Sequence, residues 1–557
     1  MKFIKENFPF FLIIVLSIIL RFTNLAAIPV GFNDDEAAFG YNAYSIAKTA
    51  KDEWGRFLPF PAFESFGDWK LVGYLYLTVL AQQFLGVNEF ATRFPSALFG
   101  VLTVIVTYFL ANRLFDKKIA IVSSLLLATS PWHIVASRNA FESDLLSFFI
   151  TLAVFLFLLS LASKRYFVFS LLTFIVSFYF YRSAWIFVPP YVAFLLYSFR
   201  HDLRRLQINF TKVGVLIFLL ILPLIPLSST FRGQSRFFQE SFIAGIQRVG
   251  INNEINEKRG VCQNHLPVVF CTFAYNKYLV LASTYINNYL SNLSPKTYFD
   301  MANPLGFQSF MSRSAFYFFE LPLILSGIIL LLKQKNPAAK ILIPWLLLSP
   351  VGAAIAGSGN FGRINLIMPA PQIIASYALI SLLSIPKSKL LKTVFISAST
   401  IIIFASFSKF LIDLFYLEPF FTSRHQRYGY KVLFNYLHEN DDKFDKVYIS
   451  KKIDNSHQYV QYLFFQKIDP VFYQKNSVKR HDENGWIVFD NVGKYYFVPS
   501  MPAVETIPER SYLVIGEGEV NYPVGPLFVI KDLRNDPIFE IYDARSVQFF
   551  LKAQKLE

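Results

Sequence analysis

Three consecutive carboxylates, Asp34, Asp35 and Glu36, follow directly after the first long apolar run, within Gly31-Phe32-Asn33-Asp34-Asp35-Glu36. A carboxylate placed there is suited to act as a general base, with its neighbours positioning it. The same residues also obey the rules for a helix start. Asn33 is a good N-cap, Glu36 stands three positions later as in a capping box, and acids in a first turn meet the helix dipole favourably. Capping and catalysis both stay open on this motif alone. Cations lie downstream: Lys70 in Gly67-Asp68-Trp69-Lys70, and Arg93 in Glu89-Phe90-Ala91-Thr92-Arg93-Phe94-Pro95-Ser96. Each suits either snorkelling from a helix end or contact with an anionic group. The stretch Ser130–Asp144 brings His133, Arg138, Glu142 and Asp144 together around one short turn, although Arg138 and Glu142 also form an ordinary i,i+4 pair. Arg182 and Arg363 complete the set. Acids to abstract a proton, with Arg and Lys to meet an anionic leaving group, are what displacement from a phosphate-linked donor requires. A headgroup-binding scaffold would use the cations but has less use for the acids.

The elements that must position these residues are membrane helices. Of 557 residues, 54% are hydrophobic, 63 are Phe and only 16% are charged, a composition that excludes an ordinary soluble globule. Apolar runs of spanning length predict about eleven transmembrane helices: 8–24, 89–114, 118–137, 142–162, 166–181, 184–199, 212–230, 314–333, 339–356, 364–384 and 393–414. The apolar but short stretch 70–85 is read as a helix lying at the outer interface. The N-terminal run has no small-residue cleavage site after it and is expected to be an uncleaved first span. After residue 415 the sequence becomes charged and mixed, with short β-rich runs such as Lys446–Ser450 and Tyr512–Ile515. The expected architecture is therefore an α-helical polytopic membrane domain over 1–415, with outer loops at 25–88 and 231–313, followed by a soluble α/β domain over 416–557.

The formal charge of +15 does not point to nucleic acid, because the basic residues fall in short loops. Lys2 and Lys5, then Arg113, Lys117 and Lys118, then Lys164 and Arg165, then Arg200, Arg204 and Arg205, alternate with loops lacking that bias. The positive-inside rule then predicts a cytoplasmic N-terminus and an extracytoplasmic C-terminal domain. The candidate acids and cations fall on that same outer side. So do Cys262 and Cys271, the only cysteines, where a short-loop disulfide is favoured over free thiols. With His265 alone nearby, they do not make a zinc site. The aromatic-rich stretch Tyr275–Tyr298 reads as an interfacial helix or as a wall for a sugar or lipid.

Asp35-Glu36 after the first span, Gly40-Tyr41-Asn42-Ala43-Tyr44, Gly67-Asp68-Trp69-Lys70, Arg93-Phe94-Pro95-Ser96-Ala97 and Ser130-Pro131-Trp132-His133 resemble the motifs of bacterial GT-C type integral-membrane glycosyltransferases. Within that class the resemblance is to the protein O-mannosyltransferase and lipid A aminoarabinose transferase group. It covers roughly residues 10–230 and, more loosely, 310–415. It implies a sugar carried on a polyprenyl phosphate and transferred, with inversion, to a glycan, lipid or protein acceptor outside the cytoplasmic membrane of a bacterium. By position Asp35 would be the base, with Glu36 beside it and Asp34 an extra acid. Glu142 would be a second family acid, with Asp144 as its alternative. Lys70 and Arg363 would face the donor phosphate, with Arg93 and Arg138 as further candidates; His133 and Arg182 have no role carried over. Leu71 and Val72 stand where relatives often have proline. No cofactor is required, a divalent metal is not excluded, and the expected partners are membrane lipid, the lipid-linked donor and the acceptor. A transporter or flippase of lipid-linked saccharides, or an envelope scaffold, would share the spans and the cations. Long outer loops and a soluble outer domain are less natural for alternating access.

Overall fold

A computed structural model describes residues 7–205, 249–299, 314–357, 361–385, 388–453, 457–481 and 487–556, with scattered residues of 211–225 and Gly359. The expected span 212–230 falls largely outside the described residues, as do both ends of the 231–313 loop. The chain forms two compact units that are discontinuous in sequence. One contains residues 1–23, 96–137 and 141–409; the other contains 24–95, 138–140 and 410–557.

The first unit is helical. Its elements include Phe8–Phe22, Lys117–Thr129, Asp144–Ser160, Arg165–Val176, Ser183–Ser198, Glu320–Lys333, Ala339–Ala356 and Ala370–Leu383. Apolar runs in lipid must satisfy their backbone groups internally, which only a helix does within one segment. Among the described residues, three helices are long and apolar enough to cross a bilayer by length and composition: Glu89–Leu114, Ala339–Ala356 and the continuous stretch Lys389–Thr422. Other apolar helices have 10–17 residues. The expected span 364–384 is interrupted. A short helix Phe361–Ile364 and a 3-10 turn Asn365–Ile367 precede Ala370–Leu383, because Pro369 and Pro371 fit a helix start rather than a helix interior. Leu390, Val394, Ile401 and Phe404 project outward from the helix Lys389–Ile412, an apolar surface suited to lipid.

Cys262 and Cys271 are joined by a disulfide that ties the helices Val249–Gln263 and Val268–Ala274. The aromatic stretch forms the helix Lys277–Leu293, capped by Asn276, and lies against Ala339–Ala356. The Tyr289 and Tyr285 hydroxyls donate to the Leu347 and Val351 carbonyls at 2.9 and 3.3 Å.

The second unit contains a two-stranded hairpin, β1 (Ala62–Ser65) and β2 (Asp68–Leu71), and a seven-stranded sheet. The sheet consists of β3 (Lys446–Ser450), β4 (Ser477–His481), β5 (Ile487–Val492), β6 (Tyr495–Val498), β7 (Ser511–Gly516), β8 (Phe528–Lys531) and β9 (Pro537–Asp543). Their spatial order is β4-β5-β6-β3-β7-β9-β8. β3 runs parallel to both of its neighbours, β6 and β7, and the outer pairs are antiparallel. Of the two central strands, β7 is buried along its whole length, and β3 alternates half-buried and buried positions over its first four residues.

The helix Asp34–Thr49 shares this unit's core. Its Ala37, Ala38 and Tyr41 pack with Val460, Leu463 and Phe464, and Phe32 stacks on Phe464 at 4.6 Å. A Cβ at Gly40 would collide with the Phe464 ring, so the close approach needs glycine. The stretch 70–85, expected to be helical, gives the end of β2 and the helix Val72–Leu85. Tyr74 is fully buried, and its hydroxyl donates to the Thr92 carbonyl at 2.8 Å.

Candidate functional site

The acid triplet opens the helix Asp34–Thr49, and its three members have different surroundings. Asn33 accepts from the Glu36 N–H at 2.9 Å while its own N–H donates to Glu36 Oε2, a complete capping box. Glu36 is also gripped by Arg93: Nε and Nη2 donate to Oε1 and Oε2, each at 2.8 Å. The Ala140 N–H adds a bond at 2.9 Å. Arg93 spends its remaining donors on the carbonyls of Leu25, Ala26, Pro29 and Gly31. Both side chains are 1% exposed. Every donor of Arg93 has a protein acceptor, so the geometry gives Arg93 and Glu36 the task of holding the turn that leads into the helix.

Asp34 is 16% exposed and meets residues of the C-terminal sheet domain. It accepts from Gln461 Nε2 at 3.0 Å and from the His457 N–H at 3.3 Å, and the Arg427 guanidinium stands 3.6 Å away. Asp35 is the open one, with 42% of its side chain exposed.

Lys70 comes from the hairpin. Phe66 and Gly67, at φ of 44° and 92°, make a two-residue turn with both positions left-handed, which fixes the strand register. Residues two apart on a strand share a face, so Asp68 and Lys70 project together. The fully buried Lys70 ammonium contacts Asp35 and is 2.7 Å from Asp68 Oδ2. It also lies over the Phe66 ring at 4.9 Å. His457 stacks on Phe66 at 4.3 Å, and the Phe66 N–H donates to Tyr459 Oη at 2.9 Å. Burial holds the His457 imidazole below its usual pKa, against the pull of Asp34 and Asp35.

Behind the hairpin lies a denser polar cluster. Glu64 meets Arg56 at 2.6 Å and His481 at 2.5 Å. Glu53 accepts from Tyr459 at 3.2 Å and from Ser65 and Asn42 at 3.3 Å. Burial pushes the Glu53 carboxyl up to about 7, against the opposing charge of Lys479, and pulls Lys479 down. Arg138 is buried in the same unit. It donates to the Ile28 carbonyl at 2.8 Å and sits over the Phe415 ring at 5.3 Å. Burial first, and the charge of Arg93 second, bring its pKa down to about 9.

The remaining candidates belong to the helical unit. Asp144 accepts from Asn365 Nδ2 at 3.2 Å, and Trp132 Nε1 donates to Asn365 Oδ1 at 3.1 Å. Glu142 is buried just before that helix. His133 Nδ1 lies 2.5 Å from Arg21 Nη2; since arginine only donates, Nδ1 is the acceptor and Nε2 carries the proton. Arg363 donates to the Ala356 carbonyl at 3.2 Å. Arg182 is the N-cap of Ser183–Ser198, where the helix dipole disfavours a cation, so helix stability does not account for it. Among the described residues, no group of three or more His, Cys, Asp or Glu side chains could hold a metal ion.

The partners from the C-terminal sheet domain, His457, Tyr459, Gln461 and Arg427, carry no local signal in the sequence, whereas the i,i+2 spacing of Asp68 to Lys70 is one.

Residues 72–226 match the family described as dolichyl-phosphate-mannose-protein mannosyltransferase. The fold is similar to that of ArnT from Cupriavidus metallidurans. In the apo state the TM-score is 0.52 at 13% identity, covering 98% of this chain and 99% of that one. With undecaprenyl phosphate bound it is 0.50 at 14% identity, covering 96% and 98%. The fold is of GT-C type. The GT-C likeness in structure runs through the soluble domain as well as the helices, whereas the family match in sequence is confined to the helical part and the end of the first loop. An uncharacterised protein of Aquifex aeolicus (strain VF5) is 31% identical over 148 residues, 26% of this chain and 30% of that relative. The oligosaccharyltransferase AglB from Archaeoglobus fulgidus gives a TM-score of 0.47 at 14% identity, and this chain spans 64% of its length.

Proposed function

We propose that the protein is a membrane glycosyltransferase that takes a sugar from a polyprenyl-phosphate donor and delivers it to a glycan, lipid or protein acceptor at the outer face of the bacterial cytoplasmic membrane. The GT-C fold and the mannosyltransferase family match support the reaction class. An apolar groove in the helical unit, of about 170 Å³ and lined by Tyr298, Phe299, Phe316, Ile324 and Leu346 among others, suits an isoprenoid chain. ArnT, of the same fold, binds undecaprenyl phosphate.

The observation that carries the choice of base is the contrast within the triplet. Glu36 is consumed by Arg93 and Asp34 by the soluble domain, while Asp35 keeps an open face. The Asp35 carboxylate accepts the proton of the acceptor's nucleophile as that atom bonds to the anomeric carbon. The bond from that carbon to the lipid phosphate oxygen breaks on the opposite side, which inverts the centre. Lys70, held by Asp68, positions Asp35 from below and leaves its outer face to the acceptor. Single displacement needs one base and no cofactor. The distribution of basic loops supports a cytoplasmic N-terminus and a C-terminal domain outside.

The test is transfer from a panel of radiolabelled polyprenyl-phosphate sugars by the purified protein in lipid, with wild type beside Asp35→Asn. Loss of a general base lowers the rate about 100-fold or more. Transfer that survives the substitution removes Asp35 from the role. A wild type that flips or binds the lipid without transfer replaces the enzyme by a transporter or scaffold.

A further inference from the structure

The two members of the Asp35–Lys70 pair stand on different elements, Asp35 on the helix Asp34–Thr49 and Lys70 on β2, and one short helix of the C-terminal sheet domain, Gln458–Phe465, reaches both elements. We propose that Tyr459 of that helix is a positioning residue for sugar transfer, acting through Phe66 on the Lys70 ammonium and thereby on Asp35. The proposal rests on the reading of Asp35 as the base.

Side chains two apart on an α-helix point about 200° from one another, so this helix grips in two directions at once. Gln461 takes the entry to the acid helix, where its Nε2 donates to the Phe32 carbonyl at 2.8 Å and to Asp34 Oδ1 at 3.0 Å. Tyr459 takes the tip of the hairpin, where its hydroxyl oxygen accepts from the Phe66 N–H at 2.9 Å. The spacing of two residues on one rigid helix therefore sets the acid helix against the hairpin.

The Tyr459 hydroxyl is held for this task. A phenol has one proton, and here it is donated to Glu53 Oε1 at 3.2 Å, which leaves a lone pair for the Phe66 N–H. The ring is 2% exposed and stacks on Phe489 at 4.4 Å.

Phe66 is the link to the pair. Its N–H goes to Tyr459 and its carbonyl accepts from the Ile487 N–H at 3.2 Å, so the C-terminal sheet domain holds both of its polar backbone groups. Its φ of 44° is one that a non-glycine residue keeps only where the surroundings enforce it. The Lys70 ammonium lies over its ring at 4.9 Å and contacts Asp35. Without the Tyr459 hydroxyl the buried Phe66 N–H loses its acceptor, and the turn moves to find another. The ring and the ammonium above it move with the turn. A shift of about 1 Å at a reacting group can cost about 100-fold in rate.

The test is transfer by the full chain in lipid discs from the panel of radiolabelled polyprenyl-phosphate sugars. Wild type, Tyr459→Phe, Asp68→Asn and the double variant are compared, with rates expressed per folded protein. Tyr459→Phe should lower kcat about tenfold or more and leave the donor KM within about twofold. Tyr459 and Asp68 act on the same ammonium, so the loss in the double variant should be smaller than the product of the two single losses. A residue serving only the fold would give losses that multiply. An unchanged kcat in Tyr459→Phe, or losses that multiply, overturns the proposal. If Tyr459→Phe does not fold, Phe66→Leu decides in its place, because it keeps both backbone bonds and removes only the ring beneath Lys70. A kcat about tenfold lower in Phe66→Leu supports the link, and a wild-type kcat overturns it. A wild type inert with the whole panel, or full transfer by Asp35→Asn, overturns the reading of the base itself and the Tyr459 role with it.

Discussion

The Lys70 ammonium is wholly buried, yet the Asp35 carboxylate it contacts is 42% exposed. The pair therefore has an inner end fixed by protein and an outer end presented to whatever arrives. Asp68 completes the inner end, and the tight hairpin turn fixes both residues on one strand face.

Lys70→Met should strand the buried Asp68 carboxylate and lower stability by about 3 kcal/mol, the usual cost of breaking a buried pair from one side. Adding Asp68→Asn should restore most of the lost stability without restoring transfer. Thermal unfolding and sugar transfer measured on both variants separate the two effects; recovery of transfer in the double variant would show that Lys70 serves only the fold.

Arg93→Lys should destabilise the protein by about 3–5 kcal/mol, because a lysine cannot reproduce the paired bonds to Glu36 together with the ring of carbonyls. Glu36→Gln keeps the capping acceptor and should cost less. Unfolding in denaturant gives the ranking, and a donor affinity unchanged in the folded fraction of each variant is the expected sign that neither residue touches the lipid phosphate.

Much of this geometry was legible because it is local. Asn33 and Glu36 announce a capping box by their spacing, and Asp35 stood out as one of three acids at a membrane boundary. Cys262 and Cys271 are likewise close in sequence and are bonded in the structure. Three consecutive acids look alike in a sequence, however, and only the packing of distant chain distinguishes them. Gln461 reaches Asp34 across 427 residues and Tyr459 reaches Phe66 across 393, separations that leave no periodicity to read. The apolar run at 70–85 is ambiguous for a related reason. Its hydrophobicity fits a lipid interface and a protein core equally well, and Tyr74 is in a core.

The buried Glu53 has its carboxyl pushed up to about 7 from an ordinary value of 4.5. A group that holds its proton more tightly when folded contributes stability below pH 4.5 and loses it as pH rises through about 7. Glu53→Gln removes that dependence. The melting temperature of wild type, relative to the variant, should fall between pH 5 and pH 8; a constant difference across that range would mean that Glu53 does not titrate there.

Replacing Cys262 and Cys271 by serine should loosen the helices Val249–Gln263 and Val268–Ala274 locally. A bridge over so short a loop contributes about 2–3 kcal/mol in the chain-entropy account. Hydrogen exchange should speed up in these two helices and stay unchanged in the soluble domain's β3 and β7.

The second compact unit draws its core from chain segments made at very different times. Phe32, whose carbonyl accepts from Gln461 across 429 residues, leaves the ribosome long before its partner exists. Until then the helix carrying Asp34, Asp35 and Glu36 has no apolar surface from the soluble domain to fold against, and Asp34 has none of its long-range partners. Maturation of the acid loop is therefore a late event, gated by synthesis of the domain after residue 410, and a stalled nascent chain would carry its acid triplet unassembled while its helices were already formed.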